Sequence, residues 1–322
     1  MLRAYVFDDE RGQAVEDWAA SLSSLGKDRM LWVDLVDPSE EEERAAWEGL
    51  GLDPVKSDTA GPAAALELGE EVIRVTAVAV SDDEPDPKRE LVRVECVIGS
   101  NWVLTSHAAK VAVVDDFRSL AEGGGGLGVL DAPSFLATLL EWVVTSYSRA
   151  FAEIEATLEE FDVGVLKSAK GETEKQIAVL VETRSRVGRL RRALSPHREI
   201  FATLSHSELD AISSEESAER FEKLTAQADA ALATARDAKD AVVSSFDVLI
   251  LRTEHRTNEI MKILTLASIL LLPGALIAGV LGINVNFKLS AFVQSAVFWI
   301  GAGAIIGIAV VTLALARRRR WI

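Results

Sequence analysis

Asp237, Asp240, Ser244, Asp247, Leu251, Glu254 and Asn258 recur at intervals of three or four, the spacing that puts side chains on one face of an α-helix. Continued at alternating steps of three and four, the same face passes through Met261, Thr265, Ser268, Leu272, Ala275 and Gly279. Carboxylates in a row collect cations, and the small and hydroxyl-bearing residues beyond them leave room for a narrow uncharged path. Taken alone, an acidic stripe is most often the solvated side of a helix, and Thr265 and Ser268 would serve helix packing. A pore lining explains both halves with one surface.

The elements that must carry this face are equally legible. Between Pro196 and Pro273 there is no proline, and between Gly188 and Gly274 no glycine, so one helix from Glu215 to Leu281 is expected, on the order of 100 Å long. Its other side has Phe221, Leu224, Ala228, Ala231, Ala235, Ala238, Val242, Phe246 and Leu249, an apolar stripe that must pack on preceding helices. From Ile263 to Phe287 and from Leu289 to Ala316 there is no charged residue. These runs of 25 and 28 residues each exceed the roughly 20 residues that cross a bilayer.

The charge of −16 is divided unevenly. Residues 253–322 carry seven Lys/Arg against two Asp/Glu, leaving 27 against 48 in residues 1–252. So acidic a portion excludes nucleic acid as partner, because phosphate contacts need clustered Lys/Arg. Arg252, Arg256 and Lys262 precede the first span and Arg317 to Arg320 follow the second, whereas only Lys288 lies between. The positive-inside bias therefore expects both termini in the cytoplasm of a multi-pass protein of the cell (plasma or inner) membrane. "MLRAYVFDDE" has no apolar signal-peptide region. Two spans cannot enclose a pore, so an oligomer around a central axis is implied.

Upstream, "LRAYVF", "MLWVDLV", "EVIRVTAVAV", "LVRVECVIG" and "WVLTSH" read as strands and "DPSEEEERAAWEGLGL" as a helix, giving an α/β fold. The expected segments are a cytoplasmic α/β domain (1–130), a helical stalk or funnel (131–262), a first transmembrane pore helix (263–282), an outer loop (283–288), a second transmembrane helix (289–316) and a basic tail (317–322). No enzyme is expected: "GGGG" lacks the Lys-Ser/Thr of a phosphate loop, and no catalytic triad is present. His107, His197, His206 and His255 lack the paired spacing of a closed zinc site, and the lone Cys96 reads as a buried thiol.

"NEIMKILTLASILLLPGALIAGVLGIN", Asn258 to Asn284, followed after the second span by "RRRRWI", resembles the CorA superfamily of divalent metal ion transporters, which includes the zinc transporter ZntB. The likeness extends through "LWVDLVDPSEEEERAAWEGLGLDP" and "GSNWVLTSHAA". It implies a funnel-shaped homopentamer in the lipid bilayer, with long stalk helices and a pore lined by the first span. Gly282, Ile283 and Asn284 stand where the family has Gly-Met-Asn, and would form the selectivity entrance. The cargo would be a hydrated divalent cation, Mg²⁺, Co²⁺ or Zn²⁺, touched transiently by Asn284, Asn258 and Asp247, with no cofactor. Mg²⁺ sheds water reluctantly, so neutral carbonyls that bond to its waters suit transit. One departure is the loop "VNFKLS", which has Lys288 and no carboxylate where relatives often carry an acidic residue. That loop keeps open an alternative, a non-conducting metal-sensing scaffold of the same fold.

Overall fold

Period-two apolar runs form strands β1 (Leu2–Asp8), β3 (Met30–Val36), β5 (Ile73–Val80), β6 (Leu91–Ile98) and β7 (Trp102–His107), together with two short strands the pattern does not announce, β2 (Arg11–Ala14) and β4 (Ala65–Leu68). In the computed structural model of the chain the described residues are 1–8, 11–23, 25–26, 29–52, 64–69, 72–81, 90–108, 111, 114–115, 118–119, 131–167, 173–206, 215–282 and 291–318. They form two compact units, Met1–Phe246 and Asp247–Ile322.

In the first unit the strand order is β2-β1-β3-β7-β6-β5-β4, and β3 with β7 is its parallel pair. Alternation along β3 sorts its side chains between two layers. Leu31, Val33 and Leu35 join Trp47, Val97, Trp102 and Leu104 beneath α1 (Trp18–Ser23) and α2 (Glu40–Gly49). Trp32 points the other way, into an aromatic cluster with Tyr5, Phe7 and Phe135, the last from α3 (Ala132–Lys167). The start of α2 is set by a capping box: Ser39 Oγ accepts from the Glu42 amide at 3.2 Å, and the Glu42 carboxylate accepts from the Ser39 amide at 3.0 Å. Its end is followed by Gly51 at φ 71°, where a side chain would be strained.

Helices α3, α4 (Thr173–Ser205) and α5 (Glu215–Gly282) follow. Phe221, Leu224, Ala228, Ala231, Ala235, Ala238 and Val242 of α5 are buried, as the apolar stripe requires, while Phe246 is half-buried. Polar bonds flank that packing: Gln227 donates to Glu141 of α3 at 2.7 Å, and Arg198 of α4 to Asp229 at 2.6 Å.

Strand β4 pairs with β5 only as far as Thr76, so the next turn of the β5 edge needs other partners. The helices supply them. The Val78 amide donates to His197 Nε2 at 3.0 Å, the Val78 carbonyl accepts from Tyr147 Oη at 2.7 Å, and the Val80 amide donates to Ser146 Oγ at 3.1 Å.

The second unit holds the remainder of α5 and α6 (Ala291–Arg318). Both helices are long and apolar enough to cross a membrane, with mean hydropathy 2.3 and 2.2 over their most apolar windows. Those windows are almost wholly unburied, unlike the core helix of a soluble fold.

Candidate functional site

On α5 in the second unit, Asp247, Leu251, Glu254, Asn258, Met261, Thr265, Ser268, Leu272, Ala275 and Gly279 are all exposed. Exposure alone does not single them out, because most of this helix is exposed. The packed side does. Lys262, Leu266, Leu270, Pro273, Gly274 and Ile277 are half-buried. At about 100° per residue their mean direction lies roughly opposite the line through Met261, Thr265, Ser268, Leu272 and Gly279.

What packs there is α6, whose more buried positions are Gly301, Ala302, Ile305, Ile308, Ala309, Thr312 and Ala316. The contact given between them is at Gly274, where a methyl built on the glycine would stand 3.6 Å from Ile305 Cγ2, ordinary contact distance. The seam is thus the face of α5 turned away from its own partner helix.

The polar atoms of the seam are already oriented. Thr265 Oγ1 donates to the Met261 carbonyl at 2.7 Å, and Ser268 Oγ to the Leu264 carbonyl at 2.9 Å. The helix continues through Pro273, which has no N–H to offer the Ile269 carbonyl. Gly282 ends α5, whereas Ile283, Asn284 and Lys288 lie outside the described residues. His255 is exposed, with Nδ1 3.8 Å from Glu259 Oε1, and lies about a fifth of a turn off the seam. Among the described residues no group of three or more His, Cys, Asp or Glu is gathered to hold a metal ion.

Two buried polar clusters in the first unit were not anticipated from the sequence. Asp34, on β3, is fully buried. Its Oδ1 accepts from Thr105 Oγ1 at 2.6 Å and lies 3.4 Å from His107 Nε2, and its Oδ2 accepts from Arg118 Nη2 at 2.7 Å. Trp32 Nε1 donates to Thr105 Oγ1 at 2.9 Å, and Arg118 also reaches Asp115 at 2.6 Å. Burial opposes ionisation of Asp34, but the bonds from His107, Thr105 and Arg118 outweigh it and hold its carboxyl below the usual range.

The second cluster is His197 with Tyr147 against β5. Burial pushes His197 down to about 4 and the Tyr147 phenol up. Cys96 is buried, and its thiol is likewise pushed up by burial. The apolar strand "MLWVDLV" with one Asp inside it was the available signal for the first cluster.

An α/β domain on a mixed sheet is followed by long helices and by two helices long and apolar enough to cross a membrane, the build of a membrane protein with a large N-terminal domain outside its spans. Residues 27–318 match the family described as CorA-like Mg2+ transporter protein, and the chain belongs to that family. It is 23% identical over 310 residues to the cobalt/magnesium transport protein CorA of Methanocaldococcus jannaschii, covering 91% of this chain and 92% of that one. The complete structure of the CorA magnesium transporter from the same organism superposes with a TM-score of 0.79 at 20% identity, covering 100% of this chain and 99% of that chain. The ZntB cytoplasmic domain of Vibrio parahaemolyticus gives 0.62 at 11% identity over 79% of this chain and 98% of that chain, a likeness of fold.

Proposed function

We propose that the chain carries divalent metal cations across the cell membrane, along a central pore lined by the seam of α5 in a homopentamer, with both termini in the cytoplasm. The observation that carries this reading is the direction of the seam. It turns away from α6, so in a ring of copies it is the face free to surround an axis. Asp247, Glu254 and Asn258 would then collect ions at the cytoplasmic mouth, and Met261 and Leu272 would set the apolar narrowing. Gly282, Ile283 and Asn284 would form the outer entrance. The kinship with a cobalt/magnesium transport protein favours Mg²⁺ and Co²⁺ over Zn²⁺ as cargo.

Uptake of Mg²⁺, Co²⁺, Ni²⁺ and Zn²⁺ into sealed proteoliposomes, each alone and in competition, tests the reading. Asn284→Ala should nearly abolish uptake while the oligomer stays intact. Loss of the oligomer would make Asn284 a structural turn residue instead, and no uptake of any metal by the unaltered protein would leave the scaffold reading.

A further inference from the structure

Between Ile263 and Gly282 the chain carries no charge, so within the membrane nothing on the seam attracts a cation by Coulomb's law. The sign of the passing ion must be read by dipoles there. Of Met261, Thr265, Ser268, Leu272, Ala275 and Gly279, only Thr265 and Ser268 bring side-chain oxygen.

A hydroxyl has one proton to donate and two lone pairs to accept with. Both of these hydroxyls spend the proton inside their own helix, on the Met261 and Leu264 carbonyls at 2.7 and 2.9 Å. What remains on the exposed side is acceptor alone. Waters around a cation turn their hydrogens outward and need acceptors, whereas waters around an anion turn their oxygens outward and need donors.

We propose that Ser268, with Thr265 just below it, forms an acceptor-only hydroxyl collar that steadies the hydrated cation and disfavours anions in the uncharged part of the path. This rests on the pore reading above and adds to it a residue that determines specificity. Repeated around an axis, the collar meets several waters of one hydrated ion at once, without stripping them. Mg²⁺, which dehydrates reluctantly, is the cargo such a collar suits.

Cys96 is the sole cysteine and is buried in the sheet, so an introduced cysteine is the one accessible thiol. Ser268→Cys and, as a reference on the same seam, Leu272→Cys are reconstituted as full chains in liposomes. Mg²⁺ uptake is then followed with and without micromolar Cd²⁺, which thiolates facing one axis hold. Both variants should be blocked by Cd²⁺. Ser268→Ala, which removes the hydroxyl from every copy, should take up Mg²⁺ at least about five-fold more slowly, five-fold being the scale of a single lost hydrogen bond. Ser268→Thr should stay near the unaltered rate.

Block of Leu272→Cys alone would overturn the collar and leave the pore reading standing. Block of neither would overturn the pore reading and the collar with it. If both are blocked but Ser268→Ala keeps the full rate, the hydroxyl has no role. Slow uptake by Ser268→Ala and Ser268→Thr alike would make side-chain size, not acceptor chemistry, the determinant.

Discussion

His197 should make the soluble unit sensitive to acid, and the size of the effect follows from its surroundings. Its Nε2 accepts the Val78 amide at 3.0 Å, so in the neutral ring the proton sits on Nδ1, 3.0 Å from the Ala193 carbonyl. A second proton would set an Nε2–H against the Val78 N–H, donor against donor. The ring is enclosed by Tyr147 and Phe201, with centroids at 6.1 and 5.9 Å, and among the described residues no carboxylate touches it to compensate. Burial therefore pushes the group from 6.5 down to about 4. Between those two values the unfolded chain binds a proton that the folded chain refuses. Stability is thus full above pH 6.5 and is lost progressively as pH falls towards 4, by about 3 kcal/mol at roughly 1.4 kcal/mol per unit.

The comparison that isolates this is His197→Gln, which keeps a polar group of similar reach but does not titrate. Urea unfolding of the detergent-solubilised full chain, and hydrogen exchange of the Val78 amide, would be followed from pH 7 to pH 4 for both proteins. The carboxylates titrate alike in both, so their contribution cancels in the difference. The unaltered protein should lose about 2 kcal/mol relative to the variant by pH 5 and about 3 by pH 4, with earlier exchange at Val78. A difference that stays constant over this range would refute the reasoning, because it would mean that the folded chain accepts the proton as readily as the unfolded one.

Two further perturbations test other parts of the chain. Arg118→Leu removes the guanidinium from the buried Asp34 carboxylate, leaving it Thr105 and the nearby His107, and should cost about 3–5 kcal/mol in urea unfolding, with part of the loss recovered when Asp34→Asn is added. Lys288→Glu should raise metal uptake into proteoliposomes at low metal and low ionic strength, with the gain shrinking as salt is added, since in the proposed oligomer a ring of lysines would repel a divalent ion through a screened potential. Equal uptake at every salt concentration would place Lys288 away from the ion path.

The parts of this molecule that were legible in its sequence are those whose cause is local. Helix α5 announces itself because a stretch free of proline and glycine, with apolar residues every three or four, has one way to hide them, and Phe221 through Val242 are buried accordingly. The packed side of the same helix beyond Phe246 follows one rule too: a helix has two sides, and the half-buried positions from Lys262 to Ile277 share one of them. Strands β2 and β4 escaped notice because four residues are too few to display a period of two, and Arg11–Ala14 has no apolar face to display. The polar clusters were illegible for a different reason. Asp34 meets Thr105 and Arg118 across 71 and 84 residues, and Val78 meets His197 across 119. A carboxylate in an apolar strand shows that some partner must exist, since burying it alone would cost several kcal/mol, but not which residue the fold brings. The same limit applies to the seam itself. Thr265 and Ser268 settle their protons within one turn, so their donor side is fixed by the helix that carries them. In the ring of copies proposed above, their acceptor side would face what the neighbouring chains enclose, which packing between chains would set rather than any period along one.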